Sequence, residues 1–391
     1  MRFYAAGGAV RDLLLGRPMR DADFIFTGPA EAFILRYPAA RKTKDGSHPI
    51  YLLNGQEYSG LAPRLPLREA LAEDLLRRDF TVNALLLADD GVLHAHPGAL
   101  DDLRERVLRP ASATALWDDP VRAFRAARFA ASLPGFAVHT DTLEQMRGLG
   151  KEGLLDRIAA EQVGNEVRKA CLGGAPGNFL RILHQGGCLE PWFAEFAKAA
   201  AIPAGPPRCH DADVLEHSAR VMDACVRLCV KDGLPDRERA LAVWMALCHD
   251  IGKCATPPDL LPRHIGHERS GESLARDLGT RLRLPALFIK AGALAARLHM
   301  KAGGYEELRP GTRVDLLMAL HGSGLLRPFA RVVAADCGRR ELPDNMERDY
   351  ALILSVSLPK AWQNRGEASG ARLRELRAAC LAAGRSATAT E

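Results

Sequence analysis

In the stretch RDADFIF, Asp21 and Asp23 stand one residue apart at the mouth of a short apolar run. Alternate side chains of a strand point the same way, so the two carboxylates share a face. Two negative charges that close repel unless a cation lies between them. Magnesium suits the position, because it takes oxygen ligands from one or two carboxylates and completes its shell with phosphate oxygens and water. Such an ion neutralises charge on a transferred group and lowers the pKa of an attacking hydroxyl. Just upstream, AAGGAVRDLLLG reads as strand, Gly-Gly turn and helix N-terminus. Gly7 and Gly8 let backbone amides come close to an anion, and the helix dipole and Arg11 add positive character. Together the two stretches point to a metal ion and a triphosphate.

Two further stretches bear arginines. RRDFTVNALLLAD sets Arg77, Arg78 and Asp79 ahead of an apolar run, where guanidinium groups suit triphosphate or sugar contacts; a solvated helix end is the alternative. In DDPVRAFRAARFAASL, Asp119 and Arg122 lie three apart on a helix expected to begin at Pro120, with Arg125 and Arg128 on the same stripe. An aspartate accepts and an arginine donates. Cytosine and adenine each show an amino donor beside a ring-nitrogen acceptor and match that pair. Uracil and guanine reverse the order and would leave buried polar groups unpaired, at about 1–3 kcal/mol each. A solvated Arg-rich helix of an RNA-binding protein is the alternative for this stretch.

A third group lies beyond the midpoint. LCHDIGK has His249 and Asp250 adjacent near a helix end, LEHSAR puts His217 on an earlier helix, and RHIGHE adds His264 and His267. Imidazoles with a carboxylate suit a transition metal such as nickel or manganese. A water on that ion becomes a nucleophile near neutral pH. With twelve histidines in the chain, ligands cannot be assigned by count, and His210, His264 and His299 also read as surface residues.

A chain of 391 residues is long for one core, so two to four domains are expected. Up to about residue 110, the apolar runs RFYAA, DFIF, PIYLLN, ALLLAD and GVLHAH alternate with helical stretches, which predicts a small sheet. From about residue 111 the strand signals stop and helical spacing with Gly or Pro punctuation takes over. AKAAAIPAGPP, ending at Pro207, reads as a connector, and a second helical body runs to roughly residue 345. The polar tail GRSATATE reads as disordered. No internal repeat is present.

A chain that is 47% hydrophobic and 26% charged has the composition of a soluble globular protein. No run of about 18 uncharged apolar residues is available for a membrane span, and an Arg-Asp pair comes too early for a secretory signal, so the cytoplasm is the expected compartment. Nine cysteines without a Cys-x-x-Cys pair argue against a disulfide framework or a zinc ribbon; Cys225 and Cys229 share a helix face and read as core packing. A net charge of +5 permits a nucleic-acid or nucleotide partner without demanding one.

GGAVRDLLLGRPMRDAD, RRDFTVNAL, DDPVRAFRAARFAA and EQVGNEVRKA...FLRILHQGGCLEPWF, in that order over nearly all of residues 1–195, resemble the class II tRNA nucleotidyltransferases, the CCA-adding enzymes and their poly(A) polymerase relatives. LCHDIGK...TPPDLLPRHIGHE resembles the HD phosphohydrolase domain fused to some bacterial CCA-adding heads, a fusion that disfavours poly(A) polymerase. The resemblance implies an α+β chain: a small mixed-sheet nucleotidyltransferase head at 1–110, an all-helical neck at 111–200 that binds base and tRNA, an all-helical HD domain at 208–345, and C-terminal helices and tail at 346–391. It implies attack by a tRNA 3′-hydroxyl on the α-phosphate of CTP or ATP, with phosphatase and 2′,3′-cyclic phosphodiesterase activity in the HD part.

By the same resemblance Asp21 and Asp23 match the catalytic carboxylates that hold magnesium. Gly8, Arg11, Arg78, Arg122 and Arg125 match nucleotide contacts, and Asp119 with Arg122 the base template. His217, His249 and Asp250 match HD metal ligands, with His267 and Asp336 as further candidates. Three departures are visible. Asp118-Asp119 replaces the family's Glu-Asp, and His299-Met300 stands where a later His-Asp is aligned. The segment between EYSGLAPRLPL and AEDLLRRD is also shorter than the flexible loop used to switch from C to A, which makes a CC-adding enzyme the alternative. An HD-type hydrolase whose head only docks RNA is another. Monomer and homodimer are both left open.

Overall fold

The computed structural model describes residues 1–19, 22–44, 49–61, 65–207 and 211–388. The chain divides into two compact units, one of residues 1–130, 134–158 and 185–188, the other of residues 131–133, 159–184 and from 189 onward. The Pro-rich run ending at Pro207 falls inside the second unit.

In the first unit, seven strands form one mixed sheet: β1 (Phe3–Ala6), β2 (Asp23–Phe26), β3 (Arg41–Lys44), β4 (Ile50–Leu53), β5 (Gln56–Gly60), β6 (Leu85–Ala88) and β7 (Leu93–Ala95), in the order β3-β4-β5-β2-β1-β6-β7. Among the described pairs of this sheet only β2–β5 is parallel. The five apolar runs seen in the sequence become β1, β2, β4, β6 and β7. β3 (RKTK) and β5 (QEYSG) are polar and gave no alternating signal. β3 is an edge strand, where basic side chains deter pairing with another chain. Asn54 and Gly55, both at positive φ (52° and 81°), turn β4 into β5, the left-handed pair that a two-residue hairpin needs.

Helices α1 (Gly8–Leu14), α2 (Ala30–Arg36), α3 (Leu67–Leu76) and α4 (Ala99–Glu105) accompany the sheet, followed by α5 (Ala115–Asp118), α6 (Arg122–Ser132) and α7 (Thr140–Lys151). Because neighbouring strand residues face opposite sides, Ile25 joins Tyr4, Leu86 and the α3 residues Leu71 and Leu75 in one core. Phe26 joins Phe33 of α2, Tyr51 and Leu53 in another, with the Phe26 and Phe33 rings stacked at 4.2 Å. Contrary to the expectation of no strand beyond residue 111, β8 (Val107–Leu108) pairs with β9 (Ala137–Val138); two residues are too few to show alternation.

The second unit is helical: α8 (Ala160–Ala170), α9 (Gly177–Gln185), α10 (Val214–Lys231), α11 (Asp236–Cys248), α12 (His267–Arg281), α13 (Ala286–Gly303), α14 (Pro310–Ala319), α15 (Leu326–Cys337), α16 (Leu342–Ser355) and α17 (Glu367–Thr388). Every residue of α11 from Ala240 to Cys248 is buried. A helix apolar on all sides must sit at the centre of its domain, and α11 packs against α10, α13 and α15. At its crossing with α13, a Cβ on Gly292 would stand 2.9 Å from both Cys248 Sγ and Trp244 Nε1. The buried Trp244 indole donates to the Phe288 carbonyl at 2.7 Å. Cys225 and Cys229 are buried on α10, and all eight described cysteines are free thiols. No described helix is long and apolar enough to cross a membrane.

Candidate active sites in the two units

In the first unit β1 runs into Gly7, which has φ +65°, ψ −125° and caps α1. This conformation is open to glycine at little cost. A Cβ on Gly7 would stand 2.9 Å from Arg78 Nη1, and one on Gly8 would stand 3.4 Å from Arg11 Nη2, so two guanidinium groups flank the turn. Asp23 opens β2 and pairs across the sheet with Ala6, the last residue of β1. An exposed carboxylate is thereby set beside the Gly-Gly turn. Asp21 lies outside the described residues.

The RRDFTVN segment holds this side of the unit together. Arg78 donates from Nε and Nη2 to Asp74 at 3.0 and 2.8 Å. Asp79 is buried, and both of its oxygens are engaged. Oδ1 accepts from the Phe80 amide (2.8 Å) and Asn83 Nδ2 (3.0 Å), and Oδ2 accepts from Arg125 Nε (2.8 Å). Burial opposes its charge, but Arg125, Asn83 and the Phe80 amide outweigh it and hold the carboxyl at about 2. Arg11, also buried, lies over the Phe129 ring. It donates to Asn83 Oδ1 from Nη1 at 2.6 Å and to Asp12 from Nε and Nη2.

The expectation that Asp119 and Arg122 share a helix is corrected. A residue before proline is pushed out of the helical region; Asp119 is extended (φ −148°, ψ 93°), and α6 begins only at Arg122. The two side chains face each other across that turn, with Arg122 Nε 3.9 Å from Asp119 Oδ2. The other donors of Arg122 go to backbone: Nη2 to the Arg77 carbonyl (2.6 Å), Nη1 to those of Ala115 (2.8 Å) and Arg78 (3.3 Å). Helix α6 is thus fastened to the RRD segment.

In the second unit six side chains converge. His217 comes from α10, His249 and Asp250 from the end of α11, His267 from the start of α12, His299 from α13 and Asp336 from α15. They form two sets: His217, His249 and Asp336, and Asp250, His267 and His299. Asp250 faces both. Its Oδ2 lies 3.2 and 3.3 Å from Nε2 of His217 and His249, and its Oδ1 lies 3.3 and 3.2 Å from Nε2 of His267 and His299. Asp336 Oδ1 is 3.2 Å from His217 Nε2 and 3.6 Å from His249 Nε2.

The donor set fits transition-metal ions. Ligand atoms bonded at about 2.1 Å around one ion stand roughly 3.0–3.4 Å apart. Nδ1 of His249, His267 and His299 each meets a backbone carbonyl, at 2.7, 2.6 and 2.9 Å. That leaves each Nε2 lone pair for a metal. Asp250 Oδ1 is buried without a hydrogen-bond partner, an orphaned acceptor that suits a metal ligand. Burial disfavours the His249 imidazolium, yet Asp250 and Asp336 raise it to about 10, while the same contacts hold Asp250 and Asp336 below the usual carboxylate range against their own burial. Lys253 is buried here too, its Nζ 2.7 Å from Asp250 Oδ2 and 2.8 Å from the Ala204 carbonyl.

Three expectations change. His299 is not a surface residue but a buried member of the cluster. Met300 is 57% exposed, so the His299-Met300 departure removes no side chain from it. His264 stands outside both sets and bridges Thr256 Oγ1 (2.7 Å) and the Pro203 carbonyl (2.8 Å); His210 lies outside the described residues. Lys253 was missed although it sits in the quoted LCHDIGK.

A seven-stranded nucleotidyltransferase-like head followed by a helical histidine–aspartate cluster defines a two-centre architecture, and comparison with known proteins agrees. The poly A polymerase head domain family matches residues 53–109, and the HD domain family matches residues 214–356. A multifunctional CCA protein of Verminephrobacter eiseniae is 35% identical over 360 residues, covering 87% of this chain and 84% of that protein. One from Methylococcus capsulatus is 35% identical over 411 residues, covering 97% and 94%. Among solved structures, a CCA-adding enzyme in complex with CTP superposes with TM-score 0.62 at 20% identity, covering 97% of this chain and 87% of that one. A Thermotoga maritima CCA-adding enzyme complexed with tRNA-CCA superposes with TM-score 0.59 at 20% identity, covering 98% and 91%. At that identity the structural likeness speaks for the fold. The chain belongs to the multifunctional CCA protein family.

Proposed function

We propose that this chain builds or repairs the 3′-terminal CCA of tRNA from CTP and ATP, and that its helical unit hydrolyses phosphate esters, 2′,3′-cyclic phosphates among them. The observation that carries the first part is the pairing of Asp23 with Ala6, which sets an oxygen ligand beside the Gly7–Gly8 turn. The names of its relatives support the same reading. The tRNA 3′-hydroxyl attacks the α-phosphorus of the incoming nucleotide, a new P–O bond forms, and pyrophosphate leaves. Asp21 and Asp23 would hold magnesium, which would supply charge neutralisation on the triphosphate and a lowered pKa for the hydroxyl. The Gly8 end of α1 and Arg78 bind phosphate oxygens. Asp119, half exposed, and Arg122, steadied by three carbonyls, supply the acceptor and donor that select C and A. The substrates, tRNA and nucleoside triphosphates, place the work in the cytoplasm.

The second activity is supported by six ligand-type side chains gathered in two sets, with four histidines facing the Asp250 carboxylate. Nickel, manganese or a similar ion at each set would supply a water nucleophile near neutral pH and a charge to meet the phosphate. Lys253 and the shared carboxylate set the electrostatics around it. CC addition without A is a second reading, favoured by the short segment between EYSGLAPRLPL and AEDLLRRD, residues 68–71, which lies within α3.

Replacing Asp21 and Asp23 together by Ala tests the assignment. Incorporation of labelled C into tRNA lacking its last three nucleotides should vanish while hydrolysis of a 2′,3′-cyclic nucleotide persists. Transfer that survived in the double variant would overturn the metal assignment.

A further inference from the structure

We infer that Asn83, acting through Asp79, is a positioning residue that couples the anion-binding turn at α1 to the base-reading helix α6. The inference rests on the nucleotidyl transfer proposed above. An unbroken line of hydrogen bonds runs from Arg11 Nη1 to Asn83 Oδ1 (2.6 Å), from Asn83 Nδ2 to Asp79 Oδ1 (3.0 Å), and from Arg125 Nε to Asp79 Oδ2 (2.8 Å). Arg11 belongs to α1 and Arg125 to α6. Asn83 and Asp79 are 5% and 4% exposed, so water has little access to compete for these bonds.

The residue types are the ones the line requires. Position 83 must accept from a guanidinium on one side and donate to a carboxylate on the other, and a carboxamide does both. Aspartate there would set a second carboxylate against Asp79, and leucine would leave Arg11 and Asp79 each short of a partner. Asp79 accepts three hydrogen bonds, two on Oδ1 and one on Oδ2, and Arg125 Nη2 makes a further ion-pair contact with Oδ2. Its carboxylate is therefore occupied inside the protein, and its part in the reaction is to hold Arg125. The carbonyls of Arg77 and Arg78, just before it, hold Arg122. One seven-residue stretch, 77–83, thus orients arginines from α1 and α6, and a nucleotide bound at both ends meets groups set in mutual register.

The test is steady-state addition of C to tRNA lacking its terminal nucleotides, using the full chain and its Asn83→Ala, Arg125→Lys and doubly substituted variants. Asn83→Ala should raise the KM for CTP about tenfold with kcat within threefold. The double variant should be no worse than the worse single one, because both cut the same line. An unchanged KM, or a double effect equal to the product of the single effects, overturns the inference while leaving nucleotide transfer intact. A wild-type chain that adds no C overturns the functional reading itself. If circular dichroism shows that Asn83→Ala does not fold, Asn83→Ser carries the same comparison with the same outcomes.

Discussion

Gly252→Ala is the substitution whose effect on the metal cluster follows most directly from geometry. Gly252 lies in the turn after Asp250, against the first turn of α12, which carries His267. A Cβ there would overlap the His267 carbonyl oxygen and stand 2.7 Å from the Gly271 amide nitrogen and 2.8 Å from the His267 carbonyl carbon. These neighbours are backbone, so no rotamer change relieves the clash. Restoring an ordinary separation of about 3.4 Å parts the two segments by more than about 0.7 Å. Metal–ligand distances tolerate only about 0.2 Å, so His267, now 3.3 Å from Asp250 Oδ1, leaves its set. Overpacking on rigid backbone costs about 3 kcal/mol, and hydrolysis should fall about a hundredfold. The assay is manganese- or nickel-supported hydrolysis of a 2′,3′-cyclic nucleotide, with thermal denaturation alongside and C addition as control. Hydrolysis within threefold of wild type at an unchanged melting temperature would refute the reasoning.

Metal analysis of the purified protein should find two transition-metal ions per chain, none after Asp250→Asn, and one after His299→Ala, because Asp250 faces both sets and His299 only one. The Asp79 carboxyl, lowered to about 2 when folded from an ordinary 3.8, contributes about 2 kcal/mol that is present above pH 4 and lost as pH falls through 2. Melting temperatures of wild type and Asp79→Asn should therefore converge over that window. A constant gap would contradict the assignment. Gly7→Ala forces alanine to φ +65° and pushes on Arg78; initial-rate kinetics should show KM rising about fivefold to tenfold for CTP and ATP alike.

Much of the chemistry was legible in the sequence because it depends on local spacing. Asp23 opens a strand, Gly7 stands just before a helix that Gly8 begins, and His249-Asp250 ends one. What spacing could not show is which distant helices meet. His299 sits in an Ala- and Leu-rich helix and resembles a surface or core histidine until α13 packs beside α12; it contacts His267 across 32 residues, the same interval that separates His217 from His249. β3 and β5 were invisible because a sheet edge and a polar strand carry no apolar alternation. The helix expected to begin at Pro120 starts only at Arg122, and Asp119 stands outside it because a residue before proline is pushed out of the helical region.

The central claim is that one strand-edge carboxylate site and one acceptor–donor pair build a defined RNA end. It is tested most directly by sequencing the products formed when tRNA ending at its discriminator base is incubated with this chain, magnesium, CTP and ATP. The account predicts ends completed to CCA, halted at CC when ATP is withheld, and unextended with UTP or GTP alone. Absence of any extension, or uridine entering as readily as cytidine, would contradict it.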